Sequence, residues 1–170
     1  MLINTQKVFG QEKASASSAK IVNSDEVINE DYRVKILRDY LEEHNSPLAP
    51  NAADFVESAD KYNLDWKLVA AISGVESTFG QAIPPDSYNG WGWGVYGDHV
   101  IRFGSWKEGI QTVSQGLRER YMNQWGGKDI YQIGAMYAAS PAWAGHVELY
   151  MNSIQDFALR SPKDTLSLSF

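Results

Sequence analysis

The most regular apolar pattern in the chain covers residues 65–80 and predicts a buried helix that carries one acid. The segment has apolar residues at the spacing i, i+4, i+7, i+11, which places side chains on one helix face. These residues are Leu68, Ile72, Val75 and Phe79. Asp65 is a suitable N-cap, and Gly80 is a suitable residue just past the C-terminal end. Glu76 lies one turn beyond Ile72, so we expect its carboxyl group at the margin of the apolar face.

Other segments with helical spacing predict that this helix has helical neighbours. The predicted helices cover residues 32–44, 51–62, 106–121, 129–139 and 141–159. Ser105 is placed to cap the helix that follows it, with Glu108 as its capping-box partner. Residues 81–104 are rich in glycine, proline and aromatics and predict a loop, within which 92–96 and 100–103 could pair as a hairpin. The predicted fold is mostly α (α+β), a helical domain with a small β-hairpin lobe.

Composition supports a single globular domain. The chain has 170 residues, of which 44% are hydrophobic, enough for one core. We expect a flexible N-terminal segment at 1–30, the domain at 31–160 and a tail at 161–170, because the ends are polar and lack a sustained period. The net charge of −6, without a basic cluster, argues against a nucleic-acid partner. The three histidines lack ligand-like spacing, so we predict no metal site and no cofactor.

The position of Glu76 suggests acid–base chemistry. Partial burial disfavours the charged carboxylate and raises its pKa. A carboxylic acid kept protonated in this way can donate a proton to a leaving oxygen, as the acid of a glycosidase does. The alternative is that the side chain extends into water from the edge of the helix.

Tryptophans in the glycine-rich loop suggest a carbohydrate partner. Trp91 and Trp93 stand between glycines, where few neighbours could bury them, and flat aromatic rings suit the C–H faces of sugars. We therefore expect that Trp91 or Trp93 forms a platform for a sugar ring beside Glu76. Core packing is the alternative for both tryptophans, and it is the favoured interpretation for Trp106, which lies on a helical stripe.

Three segments resemble motifs of lysozyme-like enzymes. Residues 76–80 read ESTFG and are similar to the Glu-Ser-x-Phe/Trp-Gly end of the catalytic helix in that superfamily. Residues 89–95 read NGWGWGV and resemble the Asn-Leu-Phe-Gly-Ile loop of bacterial N-acetylglucosaminidases of glycoside hydrolase family 73. Residues 137–144 read YAASPAWA and are similar to the Tyr-Ala-Thr-Asp-Pro-x-Tyr-Ala motif of the same family.

This resemblance implies a lysozyme-like fold and cleavage of β-1,4 bonds in peptidoglycan or a related N-acetylhexosamine polymer. It implies that Glu76 is the general acid and base and that Tyr137 steadies the acetamide or the developing charge. The second acid of the family lies in its β-rich lobe, which points to Asp98, with Asp86 as the next candidate. Tyr88, Asn89 and Trp143 are assigned to substrate binding together with the loop tryptophans.

Two alternatives to hydrolysis stay open at this point. One is a lytic transglycosylase that uses the same acid, and the other is a glycan-binding wall protein without turnover. A standard glycosidase needs two carboxylates, but the acetamide or 6-hydroxyl of the substrate can replace the second one. We expect a monomer in the cell envelope or outside the cell, bound to peptidoglycan. Residues 1–10 lack the pattern of a signal peptide, so export and any membrane tether would depend on a segment outside this chain.

Overall fold

The computed structural model describes residues 30–94 and 99–161, and helices dominate this part of the chain. A 3₁₀ turn, Ala49–Asn51, precedes the second α-helix, and a π-helix, Leu117–Gln124, extends the fourth. The α-helices are α1 (Tyr32–Glu43), α2 (Ala52–Tyr62), α3 (Leu68–Ser77), α4 (Trp106–Gly116), α5 (Ile130–Tyr137) and α6 (Trp143–Arg160). The predicted mostly α fold is therefore confirmed.

Helix α3 is the central element, as the sequence pattern predicted. Most of its residues are buried, including Ala70, Ala71 and Ile72, which are fully inaccessible. It packs along α6 and also contacts α2 and α4. Gly74 permits the close approach to α6, since a Cβ there would lie 3.0 Å from the Tyr150 ring. A helix enclosed on this many sides needs apolar or small residues all round, which its sequence supplies.

The ends of α3 differ from the prediction by about one turn. Asp65 precedes the helix by three residues, and its carboxylate accepts from the backbone N–H of Lys67 at 2.9 Å. At the other end the left-handed cap is Thr78 (φ 51°), and Phe79 and Gly80 also have positive φ. Gly80 is therefore the last of three left-handed residues, which turn the chain sharply away just after Glu76.

Local capping of the neighbouring helices follows the sequence closely. Ser105 Oγ accepts from the backbone N–H of Glu108 at 3.2 Å, and the Glu108 carboxylate accepts from the backbone N–H of Gly104 at 2.7 Å. Ser105 therefore caps α4 as predicted, but the Glu108 carboxylate binds the N–H of Gly104, the residue before the N-cap, and not that of Ser105, so the predicted capping box forms only in part. Asp129 caps α5 by accepting from the backbone N–H of Gln132 at 2.8 Å. Asn51, the first residue of the predicted second helix, does not cap α2 with its side chain, and its amide donates to the Asp54 carboxylate.

The small β-hairpin lobe is not seen, since no strand occurs within residues 30–94 and 99–161. The second segment of the predicted hairpin instead contacts the start of the loop, since the Phe103 N–H donates to the carbonyl of Ser87 at 2.8 Å. Residues 95–98 of the predicted hairpin lie outside the described residues. The predicted N-terminal segment 1–30 and tail 161–170 also lie outside them, apart from Glu30 and Ser161. No helix among the described residues is long and apolar enough for a bilayer span.

Candidate active site

Glu76 lies in the last turn of α3 and is held from two sides. The indole N–H of Trp143, at the start of α6, donates to Glu76 Oε1 at 2.6 Å. On the other side the backbone of Gly92 closes on the carboxylate, because a Cβ at position 92 would lie 2.8 Å from Oε2. Gly92 has φ +59°, a conformation that glycine adopts without strain. The loop can therefore approach the acid only because residue 92 has no side chain.

Burial raises the pKa of Glu76 above the usual value for a glutamate, and the Trp143 hydrogen bond lowers it in part. Desolvation is the larger cause, because one N–H donor cannot replace the water around a carboxylate. The side chain is half-buried, and it does not extend freely into water. No cationic side chain of the described residues contributes to this shift. Glu76 is an acid whose environment favours the protonated form.

Tyr137, at the end of α5, belongs to the same group of side chains. Its ring stacks on Trp143, with centroids 4.7 Å apart and planes at 22°. Its hydroxyl donates to the backbone carbonyl of Trp91 at 2.7 Å. Burial is the main cause that raises the pKa of Tyr137 well above its usual value, and the charge of Glu76 adds to it. Tyr137 is therefore neutral at physiological pH and lies near the acid, as the sequence motif suggested.

Trp143 occupies a different place from the one predicted for it. The side chain is 3% exposed, and its N–H is used by Glu76. It contacts the acid and the Tyr137 ring, so it holds Glu76 in position from behind and does not line an open surface. Its assignment to direct substrate binding is corrected on this ground.

Trp91 is fully buried, which overturns the expectation that the loop leaves it without neighbours. Its indole N–H donates to the Val69 carbonyl at 2.9 Å. The ring packs near Phe55 and Trp106, and it reaches Gly109 of α4, where a Cβ would lie 2.6 Å from it. The loop folds back over α2, α3 and α4. Trp91 is a core residue and cannot act as a sugar platform in this structure.

Trp93 is half-buried and remains available for the platform. Its ring lies against Gly116 at the end of α4, where any side chain would collide with it. Tyr121 and Tyr137 flank the ring, with centroids 5.9 and 6.0 Å away. The aromatic cluster of Trp93, Tyr121, Tyr137 and Trp143 thus extends from the acid to the surface of α4.

Asn89 organises the loop and has little capacity left for a ligand. Its amide nitrogen donates to the carbonyls of Trp93 and Ile101 at 2.9 and 3.0 Å. Its amide oxygen accepts from Trp93 N–H at 3.0 Å, and the residue is 3% exposed. Its assignment to substrate binding is therefore corrected to a role in loop structure. Tyr88 is 40% exposed and packs edge-on against Trp106 at 5.4 Å, and it stays a prediction as a binding residue.

Ser77 was not among the predicted site residues, although it joins the helix to the loop. The buried hydroxyl donates to the Gly90 carbonyl at 2.7 Å and accepts from Gly80 N–H at 2.9 Å. It therefore fixes the loop directly beside the acid. The adjacent Glu-Ser pair in the sequence is the signal that could have identified it.

These contacts do not identify a second catalytic carboxylate. Asp98 lies outside the described residues, and Asp86 is an exposed loop residue with φ 55°. No second carboxylate in the described part contributes to the pKa of Glu76. No cluster of three or more potential metal-ligating side chains occurs there either. The described site is one carboxyl group with a raised pKa in an aromatic setting.

Comparison with known proteins adds no family to this description. No protein-family model matches the chain, and no curated protein matches it significantly in sequence.

Proposed function

We propose that this protein is a peptidoglycan hydrolase that cleaves β-1,4 glycosidic bonds between N-acetylhexosamines, with Glu76 as general acid and base. The observation that carries the proposal is the setting of Glu76. It is a single half-buried glutamate, its pKa is raised by burial, and a 2.6 Å hydrogen bond from Trp143 orients it. A proton donor near physiological pH is what glycoside cleavage requires.

The hydrogen bond also distinguishes the two carboxyl oxygens. The Trp143 N–H occupies Oε1, so the acidic proton belongs on Oε2. Oε2 lies against Gly92, whose backbone is exposed. A glycosidic oxygen seated over Gly92 would receive the proton from Oε2, after which the carboxylate could take a proton from the attacking water. A residue larger than glycine at position 92 would block this approach.

The aromatic side chains around Glu76 provide an environment that favours proton transfer. Tyr137 and Trp143 exclude water from one side of Glu76, which strengthens electrostatic interactions in the site. The Tyr137 hydroxyl is engaged with the Trp91 carbonyl, so its contribution is to hold the loop and to present a neutral oxygen near the developing charge. Trp93 is the available platform for a sugar ring.

Lytic transglycosylation is the second candidate, and one observation favours it. In the described residues Glu76 has no carboxylate partner that alters its pKa. A mechanism in which the substrate's 6-hydroxyl or acetamide attacks the anomeric carbon needs only one protein acid. In the 6-hydroxyl case the product carries a 1,6-anhydro end and is lighter by one water.

Mass spectrometry of the products tests the proposal directly. The purified protein is incubated with peptidoglycan and with chitin oligomers, and the new ends are weighed. Hydrolysis predicts reducing ends, and transglycosylation predicts anhydro ends. Binding without new ends would contradict both and would leave a glycan-binding protein.

Asp98→Asn tests the two-carboxylate form of the mechanism, and Asp86→Asn tests the next candidate for the second acid. If Asp98 positions water or stabilises positive charge, its loss should lower kcat by roughly 10²-fold or more with little change in Tm. Unchanged kinetics of Asp98→Asn would remove Asp98 from the site and leave Asp86 as the next candidate. The proposed place of action is the cell envelope or the extracellular space, as a monomer.

A further inference from the structure

A polar cavity lies on α4 beside Trp93, next to the aromatic cluster that leads from Glu76. Its volume is about 330 Å³, at the lower end of the roughly 300–1,000 Å³ range of ligand pockets. Trp93 forms its aromatic wall, and the polar wall consists of Thr112, Gln115, Glu119, Arg120 and Gln124. This size suits one sugar ring and not a longer saccharide.

The polar wall follows from helix geometry. Thr112, Gln115 and Glu119 are spaced by three and four residues, so they share one face of the helix. The π-helix begins at Leu117 and carries Arg120 and Gln124, and π-helical turns are rare and frequently occur at functional sites. Gly116 stands between the polar residues, and its lack of a side chain is what lets the Trp93 ring lie on the helix.

The polar groups are also partly ordered before any ligand binds. The amide nitrogen of Gln115 lies 3.1 and 3.0 Å from the two carboxylate oxygens of Glu119 and donates to them. The Arg120 guanidinium lies over the Trp125 ring at 5.9 Å. An amide, a hydroxyl and the charged side chains of Glu119 and Arg120, opposite a flat aromatic wall, match a ligand with an apolar face and a rim of hydroxyl and acetamido groups. A neutral N-acetylated sugar has this chemistry.

We infer that this cavity is a subsite for one N-acetylhexosamine of the glycan, on the side of Trp93 away from Glu76. The inference rests on the proposed function, because it extends the substrate path from the acid to α4. It changes the expected use of Trp93, whose ring would bind a sugar distant from the scissile bond. The protein would then prefer long glycans, since a short one can occupy the site at Glu76 without reaching the cavity.

Binding of chitin oligomers of different length tests the subsite. Glu76→Gln is used as the background because it holds substrate without cleaving it, and trimer and hexamer affinities are measured by calorimetry. Gln115→Ala in this background should weaken hexamer binding by roughly 3–10-fold, the worth of a lost hydrogen bond, with trimer binding unchanged. Gln124→Ala should act in the same direction. Gln155→Ala, an exposed glutamine of α6 outside this cavity, is the matched control.

The outcomes separate the subsite from the proposed function. Equal affinities of both cavity variants and the control for the hexamer would overturn the subsite and leave the proposed function standing. A parallel loss for trimer and hexamer would also overturn it, because the cavity would then belong to the site at the acid. Absence of binding for every oligomer in the Glu76→Gln background would refute both.

Discussion

Replacing Glu76 with Gln should produce a protein that is nearly inactive but more stable at neutral pH. The amide is the same size as the carboxyl group, and its oxygen can still accept the Trp143 N–H. It cannot supply a proton, so cleavage should fall by roughly 10²–10⁴-fold, the usual contribution of general acid–base catalysis. The expected gain in stability has a separate cause, which is the burial of the carboxylate.

The sign of the stability change follows from the raised pKa of Glu76. In the unfolded chain a glutamate titrates near about 4.3, and in the folded protein burial moves the pKa higher. Between these two values the folded state binds more protons than the unfolded state, so stability falls as pH rises through this range. The stabilisation is complete below the unfolded pKa and lost above the folded one. The amide introduced by Glu76→Gln does not titrate, so the variant should lack this part of the pH dependence.

The magnitude depends on how far the Trp143 hydrogen bond offsets the burial. A hydrogen bond to a charged group is worth roughly 1.5–3 kcal/mol, while the effective cost of burying an ion reaches several kcal/mol. Glu76 is only half-buried, so the net gain at neutral pH should be on the order of 1 kcal/mol, or about 3–5 °C in Tm for a domain of this size.

Thermal unfolding between about pH 4 and 8, from near the unfolded pKa upward, measures the stability effect, and wall-fragment turnover measures the catalytic one. Glu57→Gln, at an exposed position of α2, is the matched control and should leave both activity and the pH dependence of Tm unchanged. Near-normal turnover of the Glu76 variant would refute its role as the acid. A Tm at neutral pH below that of the wild type would refute the account of its burial.

Three further substitutions test the surroundings of the acid. Trp143→Phe removes the donor to Glu76, so the pKa of the acid should rise further. In a plot of activity against pH, the fall in activity on the alkaline side should therefore move to higher pH. No change in that fall would refute the contact. Trp91→Phe should lower the free energy of unfolding by roughly 2 kcal/mol, through the lost hydrogen bond and a partly empty site, with glycan affinity intact in the folded protein. Gly116→Ala should displace the Trp93 indole that lies against it and cost about 1–3 kcal/mol. Gly145→Ala, in α6 with nothing near its Cβ position, should instead be neutral or slightly stabilising; similar effects of the two substitutions would contradict the packing.

The parts of the molecule that depend on local pattern were predictable from the sequence. Residue spacing along the chain predicts the Ser105 cap, the order of the helices and the central place of α3. The helix ends are predicted to within about one turn. Burial of Glu76 was also predictable, because its helix face is apolar. The fate of Trp91 was not, since its neighbours come from α2, α3 and α4. Trp143 was recognised as a site residue by its motif, but its contact with Glu76 joins residues 67 positions apart and cannot be read from either segment alone.

Trp91, Trp93 and Trp143 each pack against a glycine in a helix, and this explains why their burial was hard to predict from the sequence. Trp91 lies against Gly109 and Trp93 against Gly116, both in α4, and Trp143 lies against Gly134 in α5. Glycine within a helix costs roughly 0.5–1 kcal/mol relative to alanine, and a large indole packed into the vacant Cβ position can offset this. Glycines beside the tryptophans in the loop suggested exposure, but the glycines that decide burial are on distant helices. The same arrangement fixes the acid, because the ring seated on Gly134 is the one whose N–H binds Glu76. The position of the donor therefore depends in part on a glycine of α5, because a Cβ at Gly134 would lie 3.0 Å from the Trp143 ring and the ring would have to shift by a few tenths of an ångström.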